Sequence, residues 1–216
     1  MTARMKSEIK IFGINFLIVS VSFTVILIAL SVIAGELLDF YPVSYEVIFP
    51  FFTAIVTGEW GKTKADSNFD IIAAQSTSLF QWVLLRYITA FGISSVFAIF
   101  SMAGSSIIRY ELPVWELLII YFSPAFLLSS LCALIGTVCR QEHIATLVCG
   151  VLWLVSLLTR SLLRFPGVEY VYLFIRFAGD ENHIWLWNKA IIAAAGFFLW
   201  GLIYLNCNKK SLFPLF

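Results

Sequence analysis

Charge is scarce in this sequence. Asp, Glu, Lys and Arg make up 12% of its 216 residues, and 61% of the chain is hydrophobic, whereas soluble domains carry about 25% charged residues. A soluble globule of this size could not hide so much apolar surface, so lipid is the natural solvent. Basic charge is scarce too: the net charge of +1 argues against a nucleic-acid partner, which needs a concentrated basic face. No GxxxxGK[ST] phosphate loop occurs, so the chain is not expected to hydrolyse ATP in the P-loop manner. The four cysteines, Cys132, Cys139, Cys149 and Cys207, form no CxxC spacing and read as small hydrophobes within apolar runs.

The two histidines, His143 and His183, fall on opposite sides of the expected membrane, and neither has a third ligand beside it. Asp180, Glu181 and His183 read as a charged turn rather than a metal site. No histidine lies at the depth of Ser94-Ser95, Ser105-Ser106 or Ser129-Ser130 to act as the base a serine nucleophile requires. Those serines, like Gly196 and Gly201, read as small residues that let helices approach closely. An intramembrane protease or lipid-modifying enzyme is thus the weakest functional class, and neither catalytic residues, a metal nor a cofactor is expected in this chain.

What is present is a series of apolar runs. A membrane span takes about 20 mostly apolar residues, and six candidates follow in order: Ile11–Ile33, Leu38–Thr57, Gln81–Ile107, Pro113–Cys139, His143–Leu163 and Trp185–Asn206. The expected fold is an all-α polytopic membrane protein, with residues 1–216 forming one transmembrane domain. The basic leader MTARMKSEIK runs into a first span that is too long for a signal-peptide core. With the N-terminus inside, nine of the 14 basic residues fall on the cytoplasmic side, which places both termini in the cytoplasm of a cell-membrane protein. Trp82, Trp115, Trp185 and Trp187 fall near span ends, where indoles prefer to sit.

Two segments between spans are more than connectors. Val168–Phe177 is apolar and aromatic, too short to span, and bracketed by Pro166-Gly167 and Gly179-Asp180; this pattern predicts an interfacial or re-entrant segment before the last span. Asp66–Phe80 is amphipathic. Ser67 and Asp70 make a capping-box-like start, and Phe69, Ile72, Ala73, Ser76 and Phe80 recur at helical spacing. The spacing predicts a short helix along the inner membrane surface, with Glu59, Lys62, Lys64 and Asp66 giving it a polar edge.

The region Glu59–Arg86 resembles the permease subunits of ABC-2-type ABC transporters. In that family a span ends in a glutamate near a glycine, here Glu59 and Gly61. A coupling helix follows, here Asp66–Phe80 with Asp66, Phe69, Asp70, Ile72, Ala73, Ser76 and Phe80. Then comes a third span with a basic residue about one turn in, here Arg86. The segment STSLFQWVLLR lacks the proline often found at that turn. The resemblance implies two permease subunits, identical or different, each resting on a separate P-loop ATPase that holds ATP and magnesium. It also implies export of an amphiphilic or hydrophobic cargo, such as a peptide antibiotic in export or self-immunity, a lipid or a drug. A membrane scaffold or assembly protein is the alternative, although a scaffold has no need of a helix between spans two and three.

Three further residues are candidates for the pathway. Glu46, with Asp39, falls near the outer end of span two. An ionisable group inside a span marks a transport route, while one at the outer interface costs little. Pro50 and Pro124 interrupt spans two and four and are candidate kinks or pivots.

Overall fold

The computed structural model describes residues 13–34, 43–60, 78–108, 114–141, 143–165, 167–178 and 184–212. Every regular element among them is helical. The α-helices are α1 (Gly13–Ala34), α2 (Phe49–Trp60), α3 (Leu79–Ile108), α4 (Val114–Val138), α5 (Ile144–Leu158) and α6 (Ile184–Leu212). A π-helical turn, Val43–Ile48, leads into α2. A 3-10 turn, Thr159–Arg164, prolongs α5, and another, Val168–Tyr170, opens a run of tight turns reaching Ala178.

Among the described residues, four helices are long and apolar enough to cross a membrane: Leu79–Ile107, Val114–Val138, Ile144–Arg164 and Ile184–Asn208. They coincide with the third to sixth expected spans. Over the first expected span α1 runs for 22 residues. The second differs from expectation. In place of one helix over Leu38–Thr57, the described part is a six-residue π-turn followed by the twelve residues of α2. Pro50 is the second residue of α2. A prolyl nitrogen has no proton to donate, and the first turn of a helix is where that loss is tolerated. Pro50 therefore stands where one helix type gives way to another. The helix also continues past Thr57 to Trp60, which puts Glu59 on α2 rather than in a loop. The Asp66–Phe80 helix lies almost wholly outside the described residues, as do Gly61, Asp66, Phe69, Asp70, Ile72, Ala73 and Ser76.

α4 is the central element, packed against α2, α3, α5 and α6. Most of its length is buried, including Pro124 in its interior. α5 is the peripheral one. Cys149 and Ala145 face inward, while Leu147, Val151, Leu154 and Leu158 are exposed, an outward apolar surface that hydrocarbon solvates readily. α1 packs on α3, and its Phe23 stacks on Phe52 of α2 at 4.7 Å.

The serine pairs do more than make room. Tyr45 hydroxyl is hydrogen-bonded with Ser101 (3.2 Å) and Ser105 (2.8 Å) of α3. Tyr121 hydroxyl on α4 joins Thr53 of α2 (2.9 Å) and Ser95 of α3 (3.1 Å). Tyr87 on α3 joins Ser129 of α4 (3.0 Å). These tyrosines are buried, and an unpaired hydroxyl there would be costly. The serines thus fix how α2, α3 and α4 sit relative to one another.

The two glycines of α6 separate in the same way. A Cβ on Gly196 would lie 2.5 Å from Phe126 Cδ1, whereas one on Gly201 meets nothing within 4 Å. Phe126 is buried and packs on Phe122 at 5.5 Å and Phe197 at 4.8 Å, so moving its ring aside disturbs both contacts. Gly196→Ala is expected to destabilise the protein by about 1–3 kcal/mol, the usual cost of overpacking. Gly201→Ala is expected to be neutral or to stabilise by up to about 1 kcal/mol. Thermal unfolding of the two variants in detergent checks this; equal melting temperatures would remove the close-packing role of Gly196.

Candidate functional site

The strongest concentration of polar interactions lies at the start of the π-turn. Glu46 projects from it into the protein and is 0% exposed, so its expected place at a solvated outer interface is corrected. The interface reading failed because the partner is distant in sequence. Lys189 of α6 is 1% exposed, and its ammonium pairs with Glu46 Oε1. A lone buried carboxylate or ammonium would be prohibitive in an apolar interior, and pairing with further hydrogen bonds makes it tolerable.

Those further bonds come from the irregular segment after α5. Arg176 N–H donates to Glu46 Oε1 (3.2 Å) and Phe177 N–H to Oε2 (2.6 Å). Lys189 Nζ also donates to the Leu173 carbonyl (3.2 Å). Beside it, Asn188 Nδ2 donates to the carbonyls of Glu169 (2.7 Å) and Tyr172 (2.8 Å). Tyr172 hydroxyl donates to the Ser156 carbonyl of α5 (2.7 Å); burial raises the pKa of this phenol, and the charge of Glu46 adds to that. Arg160 Nη2 caps the Ala178 carbonyl (3.0 Å). Trp153 of α5 donates to the Val47 carbonyl in the π-turn (3.0 Å) and stacks on Phe51 at 4.4 Å.

The segment expected as re-entrant is thus a buried plug. Tyr172, Leu173, Phe174 and Ile175 all lie in the core. Gly167, at φ 90°, takes the left-handed turn that starts it, as glycine does without steric cost. Backbone this irregular is tolerated in an apolar interior only where its polar groups find partners, and Glu46, Lys189 and Asn188 supply them.

Glu59 marks the other end of the same element. Its Oε1 accepts a hydrogen bond from Thr146 Oγ1 (3.2 Å) and stands 2.9 Å from His143 Nδ1. Both partners belong to the start of α5. His143, expected only to form no metal site, stands here with a left-handed backbone, φ 65°, unusual outside glycine. A Cβ on Gly58 would meet Thr146 Oγ1 at 2.6 Å, so the absence of a side chain at Gly58 lets α2 and α5 touch. Of the other coupling candidates, Phe80 packs edge-on against Trp200 and Tyr204 of α6 at 6.0 and 5.2 Å. Arg86 lies 4.0 Å over the ring of Trp82. Glu59 thus touches the start of α5, and Arg86 a ring on its own helix.

Between α3, α4 and α6 lies an apolar cleft of about 620 Å³. Its walls include Phe91 and Ser95, Tyr121 and Phe122, and Lys189 and Ala193. Lys189 therefore belongs both to the cleft wall and to the pair with Glu46. Among the described residues, no cluster of three or more His, Cys, Asp or Glu could hold a metal. No family model, curated protein or solved structure matches the chain.

Lys189 and Asn188 were missed in the sequence. The available signal was two opposite charges, Glu46 and Lys189, each inside an apolar span, since intramembrane charges pair with one another. Lys189→Met strands a buried carboxylate and is expected to cost about 3–5 kcal/mol. Adding Glu46→Gln, which keeps an acceptor for the Arg176 and Phe177 amides, is expected to recover at least half. Denaturant unfolding of the single and double variants measures this coupling, and strict additivity would show that the pair does not interact.

Proposed function

We propose that this chain is the permease subunit of an ATP-driven exporter, with six spans and ATP hydrolysis supplied by a separate P-loop subunit. The observation that carries this reading is the Val43–Trp60 element. It is largely buried, spans 18 residues, and bears a carboxylate near each end. At 1.5 Å per residue it is roughly 25 Å long. Glu46 holds the plug at one end, and Glu59 rests on α5 at the other. Just beyond Glu59 the chain enters the segment that resembles a coupling helix. A push on that segment would reach α2 and α5 through Glu59, then pass along α2 to Glu46 and the plug.

The apolar cleft fits the expected cargo class, an amphiphile or hydrophobic peptide, because its lining offers almost only hydrocarbon contact. The second permease subunit, identical or different, and the inward placement of both termini belong to the same proposal.

The test is isolation of the tagged full-length protein from its native membrane. A P-loop ATPase is expected to co-purify. Glu59→Ala is expected to lower the ATP turnover of that complex roughly tenfold, the share of one charge-assisted hydrogen bond, with protein level unchanged. Absence of any ATPase partner, together with wild-type behaviour of Glu59→Ala in vivo, would refute the exporter reading.

A further inference from the structure

We propose that Cys132 and Cys149 are a redox-closable pair, a site where a lipid-soluble two-electron oxidant of the quinone class joins α4 to α5 by a disulfide. The sulfurs stand 3.0 Å apart. Even carbon atoms in ordinary contact keep about 3.5–4.0 Å, and sulfur is larger, while a disulfide bond needs about 2.05 Å. Closure therefore takes a movement of about 1 Å.

The two residues face each other across a helical hairpin. Cys132 comes six residues before the end of α4 and Cys149 five residues after the start of α5, so both sit at similar distance from the connection. They are 0% and 1% exposed, which fixes their side chains inward. Each thiol has one proton to donate. The Ala54 carbonyl stands 3.3 Å from Cys132 Sγ, and the Leu128 carbonyl 3.3 Å from Cys149 Sγ. Cys132 Sγ is also placed to donate to Cys149 Sγ, and when its proton turns instead to the Ala54 carbonyl the two sulfurs face each other directly.

The chemistry balances without a protein base of its own. Two S–H bonds break and one S–S bond forms. The pair gives up two protons and two electrons, and the quinone takes both sets to become a hydroquinone. An apolar oxidant suits the site because the pair is buried and α5 turns its other face, including Leu147, Val151 and Leu154, outward as an apolar surface. Oxidation requires α5 to move outward far enough to uncover the sulfurs. The place of the bond gives it a consequence. The Cβ position of Gly58 lies 3.4 Å from Cys132 Sγ, so α2, α4 and α5 meet here, one residue from Glu59. A covalent tie between α4 and α5 fixes the surface on which Glu59 rests. The bond itself does not depend on the exporter reading.

The experiment treats purified full-length protein in lipid nanodiscs with a short-chain ubiquinone, then denatures it and counts free thiols by maleimide mass-tagging. All four cysteines are expected to label in untreated protein. The treated protein is expected to take two tags, to regain four on reduction, and to yield a peptide linking Cys132 to Cys149. Cys149→Ser is expected to keep its three remaining thiols free. A Cys139→Ser/Cys207→Ser variant, which leaves the pair untouched, is expected to lose both of its thiols on oxidation. Four tags on the treated wild type, or a linked peptide involving Cys139 or Cys207 instead, would overturn the assignment.

Discussion

A carboxylate and an ammonium, both withdrawn from solvent, hold the π-turn, α6 and the plug in register. Glu46 and Lys189 come from elements 143 positions apart, and neither could be buried without the other. Their pairing leaves further oxygen and hydrogen sites to fill, and the backbone of residues 173–177 fills them. The same few atoms therefore join the π-turn, α6 and the plug. Because Lys189 also forms part of the apolar cleft wall, the pair links the plug to the space between α3, α4 and α6.

Away from this node, helices in an apolar surrounding have little hydrophobic drive to associate, and packing and hydroxyl bonds take over. Tyr45, Tyr87 and Tyr121 reach across to serines and a threonine, and Gly196 and Gly58 let neighbouring helices close in. The interior is orderly where α4 passes through it. Its exposed flank is α5, whose inward face meets α2 and α4 through Cys149, Trp153 and Thr146 with Glu59 beside it, and whose other face is uncovered. Charged groups thus stand toward the two ends of the Val43–Trp60 element, while its middle packs among aromatic rings and bonds Tyr121 through Thr53.

Much of the architecture was legible beforehand because hydrophobic length is a local property. The third to sixth expected spans match α3, α4, α5 with the 3-10 turn that prolongs it, and α6, to within a few residues. The segment around Val168–Phe177 was recognisable as too short to cross and too apolar to be a plain loop. Its Pro-Gly break corresponds to the left-handed Gly167. The second span was misjudged in form, since a π-turn ahead of Pro50 leaves no mark in apolar periodicity. Glu46 was misjudged in environment, since burial of a charge depends on a partner that periodicity does not reveal.

The amino-acid order alone determined that this chain is helical and apolar, and where its long helices begin and end, because those properties follow from composition over some 20 consecutive residues. It also singled out Glu46 and Glu59 as unusual. Only the tertiary structure decided what they contact. It set Lys189 and the plug backbone against Glu46, His143 and Thr146 against Glu59, Tyr121 between Thr53 and Ser95, and Cys132 against Cys149. Each of these pairs two residues that are remote in the chain or lie on different helices. Such contacts depend on helix rotation and crossing, which arise from packing between elements and are not encoded in the pattern of any one of them.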